Sequence, residues 1–345
     1  MIHRPLALLF VLGLLGPAQV HAQAQDDVAA FYRGKQVRLV VGTAPGGGYD
    51  LFARIVARHI AAHIPGQPTV IVQNQPAAGG LVMTNQLYAL GPKDGTAIGV
   101  PINGIPTAPL LQQGAQFDAT KLIWLGSTNR EPYVAFVWHT APVQSLAELR
   151  AKDLVVGATA PGTTMADFPL VVNDVLGLKF KVVRGYEGTP QINHAIERGE
   201  IQGQGGIGWA AVKAQVPQWI AEKKIKVIAQ YGLKRHPDLA DVPAMLELAV
   251  NEPDRQALAM LFARAEYGRP YFLPPDVPAN RVQALRRAFD ATMKDPAFVA
   301  DAARLQLDID PMTGEEVQAL VAQLNRTPPA IVTRVRAALE APTAR

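Results

Sequence analysis

The chain predicts an α/β protein of two lobes, each a mostly parallel sheet flanked by helices, with a cleft between them. Three observations carry that expectation. Strand-like and helix-like segments alternate over residues 36–100, and the layout repeats over 154–229. Glycine-rich loops stand where strands give way to helices. A helical tail follows from Asp276. At 345 residues and 49% apolar, the chain can fill two cores.

In order, Gln36–Gly42 is an apolar run expected as a buried strand. Helical spacing begins at Asp50 and continues to Ile64, with Leu51, Phe52, Ile55, Val56 and Ile60 on one face. Thr69–Gln73 is expected as a strand, Asn74–Gly80 as a loop, Leu81–Leu90 as a helix and Thr96–Val100 as a strand. The second series is the strand Leu154–Gly157, the loop Ala158–Thr163 and the helix Thr164–Leu176. The strand Phe180–Arg184, the loop Tyr186–Pro190 and the helix Gln191–Arg198 come next. It closes with the glycine-laden strand end Ile201–Gly208, a helix over Ala210–Lys223 and the strand Ile225–Ala229. In the tail, Asp276 with Pro278, Asp295-Pro296 and Thr327-Pro328 each open a helix, and Thr313 to Glu316 forms a capping box. These signals place lobe 1 at 23–138 plus 262–345 and lobe 2 at 139–261.

Residues 1–22 are expected to be a secretory signal peptide: Arg4 gives a positive start, Leu6–Leu15 is almost wholly apolar, and Val20-His21-Ala22 offers a small-residue cleavage site. The apolar run is about half the ~20 residues that span a bilayer. Cysteine is absent, which excludes disulfides, thiol chemistry and a lipid-attachment cysteine. Periplasmic location follows as the expectation. The net charge of +4 comes from 33 basic and 29 acidic residues with no like-charge block, so nucleic acid is not an expected partner.

The stretch "VVGTAPGGGYD" at 40–50 carries the chemistry. Strand, glycine loop and helix present backbone N–H groups to an anion. A nucleotide is excluded on pattern: no Lys-Ser/Thr follows the glycines, and the spacing is not Gly-x-Gly-x-x-Gly. A carboxylate needs only two or three N–H donors. The first ligand loop is thus Pro45, Gly46, Gly47, Gly48, Tyr49 and Asp50, with Asp50 also able to brace the loop from behind. In the second lobe "ATAPGTT" repeats the theme, and Thr159, Gly162, Thr163 and Thr164 are the candidates there. Tyr186, Glu187, Gly206 and Trp209 sit on further strand-end loops. Glu187 is suited to a ligand amine or hydroxyl, and the two aromatics to covering a ligand.

The ordered series "RLVVGTAPGGGYDLFARIVARHI", "PTVIVQNQPAAGG" and "KDGTAIGV", with Gly185–Pro190 and Asp241-Val242-Pro243 downstream, resembles the periplasmic receptors of tripartite tricarboxylate transporters, the Bug family. The resemblance covers nearly the whole chain after residue 22. It implies a type II-like periplasmic binding-protein fold, a small organic acid as ligand and a two-component membrane transporter as partner. It implies no cofactor, and the receptor is expected to be monomeric. The family's carboxylate loops map onto Gly46–Asp50 and Thr159–Thr164. This chain departs at Asp167, where the family pattern has His.

Two other readings are a ligand sensor for a membrane kinase and an enzyme acting on carboxylates. Against the enzyme, the chain after residue 22 holds two serines, Ser127 and Ser145, neither in a nucleophile-elbow pattern. His59 and His63 lie four apart on one helix, without the Glu of a zinc motif, and are expected to face solvent.

Overall fold

A computed structural model describes residues 27–340 of the chain. The expected signal peptide, 1–22, lies outside the described residues.

The described chain builds two sheets. The first contains β1 (Gln36–Val41), β2 (Thr69–Asn74), β3 (Ala97–Val100), β4 (Ile123–Ser127), β10 (Pro270–Leu273) and β11 (Met312–Thr313), in the order β11-β4-β10-β3-β1-β2. The second contains β5 (Tyr133–Trp138), β6 (Leu154–Gly157), β7 (Phe180–Val183), β8 (Gly203–Gly208) and β9 (Ile225–Tyr231), in the order β7-β6-β8-β5-β9. Each sheet has a parallel half built from local β-α-β units and an antiparallel remainder.

Parallel register aligns the loops that follow the strands. Val41 of β1 pairs with both Asn74 and Val100, so the loops that follow β1, β2 and β3 leave one edge together. Gly157 of β6 likewise pairs with Val183 of β7. In the second sheet Tyr133, the first residue of β5, pairs with Gly208 and with Tyr231. The chain therefore enters the second sheet at the carboxyl edge of β8, beside the cleft.

Residues 128–132 cross from β4 to β5, and 263–269 return to β10. The two crossings run antiparallel and bond to each other: Thr128 N–H to Arg269 O (3.2 Å), Gly268 N–H to Asn129 O (2.9 Å) and Glu131 N–H to Ala265 O (2.8 Å). A third crossing follows the Gly314–Leu324 helix, because Pro329–Glu340 packs Ile331, Val332 and Val335 into the second lobe's core. The domain boundaries therefore need two corrections. β5 and the last helix belong with the second sheet, because their partners there are antiparallel or remote in sequence and leave no local periodicity to read.

Apolar faces close the cores. The Gly48–His63 helix buries Ile55, Val56 and Ile60 under the first sheet and Phe52 against the Arg269 guanidinium. The Thr164–Leu176 helix buries Phe168 among Tyr133, Tyr231 and Phe262, at ring distances of 5.5, 5.1 and 5.2 Å. The single helix expected over Ala210–Lys223 is two, Trp209–Gln215 and Pro217–Ala221. The break falls at Val216 (φ −137°, ψ 48°), because a proline excludes helical geometry from the residue before it. The capping box at Thr313 forms as expected, with Glu316 N–H donating to Thr313 Oγ1 and Thr313 N–H to Glu316 Oε2.

Candidate functional site

A cleft of about 1010 Å³ lies between the lobes and takes its lining from both. From lobe 1 come Pro45, Gly46, Gly47, Gly48 and Tyr49, with the Pro76–Gly79 loop opposite. From lobe 2 come Thr159, Thr163, Thr164, Tyr186 and Glu187. Ten of the fourteen sequence-derived candidates thus meet at one surface. Asp50, Gly162, Gly206 and Trp209 do not line it.

The first loop is shaped by Gly46 (φ +84°) and by Gly47, the N-cap of the Gly48–His63 helix. Leu51 is the first residue whose N–H finds a helical carbonyl, Gly47 O at 3.0 Å. The N–H groups before it are the helix donors that no helical carbonyl can reach. Asp50 stands behind them. Its Oδ2 accepts from Gly46 N–H (2.9 Å) and Arg54 Nε (2.8 Å), and its Oδ1 from Asn74 Nδ2 (2.9 Å). Burial pushes the carboxyl pKa up, but the hydrogen bonds from Arg54, Gly46 and Asn74 outweigh it and hold Asp50 below its ordinary value. Asp50 thus braces the loop from behind and does not itself line the cleft.

The second loop has the same design. Gly162 (φ +85°) donates its N–H to Asp167 Oδ1 at 3.1 Å, and Asp167 lies in the first turn of the Thr164–Leu176 helix. Asp167 Oδ2 accepts from Arg264 Nη1 (2.7 Å), which also donates to Gly162 O (3.2 Å). This explains the aspartate that departs from the family pattern: it is ion-paired and 4% exposed against an arginine at 0%. Gly162 is therefore part of the frame. Gly206 is too, since a Cβ there would collide with Thr164 O. Trp209 does not line the cleft but packs against the second lobe's core, whereas Trp219 of the next helix is part of the lining. The Thr163 hydroxyl donates to Ala160 O (2.8 Å), so its proton is committed within the loop.

Tyr49 OH donates to Gly268 O (3.1 Å) and accepts from Asn103 N–H (3.0 Å), which ties the first loop to the returning crossing. Burial pushes its pKa up to about 12, so the hydroxyl keeps its proton. Asn103 Nδ2 donates to Tyr133 OH (2.6 Å) and Arg264 O (3.2 Å). Glu187 is exposed and pairs with Gln191, whose Nε2 lies 2.9 Å from its Oε2. Met165 packs against the second lobe's core and also reaches the cleft lining.

Sequence reading missed the charged floor. Glu131 and Arg269 sit on the two crossings and pair at 2.6 Å, and both line the cleft. They are 138 positions apart and share no motif. Only a register between the crossings, which no local pattern encodes, brings them together.

The competing chemical candidates are occupied elsewhere. Ser127 Oγ accepts from Arg269 N–H (3.1 Å), and Ser145 caps the Leu146–Ala151 helix. His59 and His63 do not face open solvent: Nε2 of each meets an aspartate of the neighbouring helix region, Asp301 at 3.0 Å and Asp295 at 2.9 Å. Among the described residues no three metal-ligating side chains cluster.

Two α/β lobes with braced helix amino ends opening into one cleft define a two-lobe solute-binding protein. A family model described as "tripartite tricarboxylate transporter family receptor" matches residues 52–336, and the chain belongs to that family. It is 23% identical over 333 residues to the Cupriavidus necator "UPF0065 protein in gbd 5'region", covering 93% of each chain. The periplasmic binding protein BugD superposes with a TM-score of 0.67 at 22% identity, over 89% of this chain and 98% of that one. MatC from Rhodopseudomonas palustris with bound malate superposes with a TM-score of 0.65 at 18% identity, over 89% and 99%.

Proposed function

We propose that this receptor captures one small organic carboxylate between its lobes, holds it on backbone N–H groups and delivers it to the membrane components of its transporter. The observation that carries this reading is the pairing of two helix amino ends, one per lobe, each stiffened from behind by a first-turn aspartate. Amide dipoles held by buried braces need no reorganisation when an anion arrives, and each hydrogen bond to a charged group contributes about 1.5–3 kcal/mol. Four or so such bonds, less ordering and desolvation costs, support micromolar capture. The family's place in transport and the malate bound by MatC support a carboxylate here. No helix among the described residues is long and apolar enough to cross a membrane. We take the working form to be an extracytoplasmic monomer that breaks no bond in its ligand.

The test is a thermal-shift screen of mono-, di- and tricarboxylates, aromatic acids and amino acids, followed by calorimetry on any hit. Gly47→Leu is the informative variant. Gly47 has ordinary extended geometry, and an added Cβ meets nothing closer than Ala44 O at 3.8 Å. The variant should fold normally and lose at least ~100-fold in affinity, which is about 2.7 kcal/mol. Unchanged affinity sinks the amide-cradle reading, and turnover of a bound acid sinks the receptor reading.

A further inference from the structure

We infer that Glu131 selects a ligand carrying a cationic N–H group beside its carboxylate, so that the receptor takes a small amino acid in preference to a polycarboxylate. The inference rests on the receptor reading above and narrows its ligand class.

Glu131 is a buried carboxylate at the cleft floor, 2% exposed. One oxygen, Oε2, takes Arg269 Nη1 at 2.6 Å. The other, Oε1, is buried without a hydrogen-bond partner. A carboxylate offers about four acceptor positions, so one ion pair leaves this side chain much under-used. Its backbone is fixed by the bond to Ala265 O, and Gly208 leaves it room, since a Cβ there would collide with Oε1. Arg269 is held through Nη1 alone, and its Nε is buried without a hydrogen-bond partner. Its guanidinium stacks on the Phe52 ring at 4.2 Å and lies 5.5 Å from that of Tyr49.

Three further facts decide the sign of the ligand group that belongs here. Arg269 already has Glu131 as its counter-charge, so the floor offers no unneutralised cation to a second ligand carboxylate. The other ionisable side chains of the lining are Glu187, Glu197 and His194, whose Nδ1 lies 3.5 Å from Glu197 Oε2, so acidic groups outnumber basic ones. The glycine loop adjoins the pair, because an added Cβ at Gly48 would come within 3.3 Å of Arg269 Nη2. A ligand carboxylate on the N–H row and an ammonium on Glu131 Oε1 would thus flank one guanidinium, a spacing suited to a short skeleton. A polycarboxylate would leave Oε1 unmatched and meet repulsion from the glutamates.

Calorimetric titration of the purified full chain with matched pairs tests this: alanine against propionate, aspartate against succinate, leucine against 4-methylpentanoate. For at least one pair the amino member should bind tenfold or more tightly. Glu131→Gln should bring that ratio to near one by weakening the amino member alone. Should Glu131→Gln unfold for want of a partner to Arg269, the Glu131→Gln/Arg269→Met variant leaves no charge unpaired and should also lose the preference. Plain acids that bind as well as their amino partners, or a preference that survives either variant, overturn the inference and leave the receptor reading standing. No binding by any of these acids overturns the inference, and no hit in the wider thermal-shift screen overturns the receptor reading as well.

Discussion

The two glycine-rich cleft loops are built alike and anchored differently. In each, a left-handed glycine donates its N–H to an aspartate in the first turn of the next helix, and an arginine holds that aspartate. In lobe 1 the arginine is Arg54, one turn along the same helix and half exposed. In lobe 2 it is Arg264, fully buried on the returning crossing. The first loop is therefore stiffened from within its own lobe, whereas the second is tied to the junction between lobes. Arg264 also donates to Gly162 O, and its own carbonyl accepts from Asn103 of lobe 1. Any rotation about the crossings must carry the second loop with it. The same crossings hold Glu131 and Arg269, so ligand recognition and lobe orientation share one strip of backbone.

The largest expected effect breaks the buried tie. Arg264→Met leaves Asp167 buried without its cation and should cost about 3–5 kcal/mol in urea unfolding. Adding Asp167→Asn should recover much of that loss, because a neutral pair of similar volume avoids the unpaired charge. A single-variant loss no greater than that of Arg54→Met would erase the distinction between the two anchors. Arg54 is half exposed, and its pair with Asp50 should contribute only about 0.3–1 kcal/mol.

A middle-sized effect separates the glycines. Gly162 has φ +85° and an added Cβ would press on Gln112, so Gly162→Ala should cost roughly 1–2 kcal/mol. Gly47→Ala, at φ −81° in open space, should cost less than about 0.5 kcal/mol. Equal losses would mean that the loops do not differ in strain.

These contrasts also explain what was legible in the sequence. The β-α-β units, the helix starts and the two loops were readable because periodicity, glycine and first-turn aspartate are local signals. Asp50 was legible even as a brace, since an acid in the first helical turn has a standard use there. The antiparallel strands β4, β5 and β10 were not, because the ladders that define them join remote segments such as Pro270 with Ser127. The Glu131–Arg269 floor failed for the same reason. Trp209 was read from its place after a glycine strand, but the lining takes the largely buried Trp219 of the next helix, for which the sequence holds no local signal. Asp167 stood out as a departure, but its partner lies 97 residues away.

A smaller effect depends on pH. Asp50 has its pKa depressed in the folded protein, so its contribution is fully present above the unfolded value of about 3.9. That contribution fades as pH falls through the folded value. Asp50→Asn should cost about 1 kcal/mol at neutral pH, and the gap between variant and parent should close as pH falls below the unfolded value and through the folded one. A gap that holds constant with pH would show that the hydrogen-bond geometry matters and the charge does not.

The smallest effect tests the hydroxyl expected to grip the ligand. Thr163 donates to Ala160 O and accepts a long contact from Thr159 Oγ1 at 3.5 Å. Its proton is spent inside the loop, so what it offers the cleft is mainly an acceptor, the wrong polarity for a carboxylate. Thr163→Ala should lower stability by about 0.5–1 kcal/mol through the lost bond to Ala160, and change affinity for the best acid less than about threefold. Thr159, whose hydroxyl hydrogen has only that long contact, should then show the larger binding loss when changed to Ala. If Thr163→Ala weakens binding more than Thr159→Ala, the loop must rearrange on closure to release the Thr163 proton, and the second anchor is less rigid than its buried arginine implies.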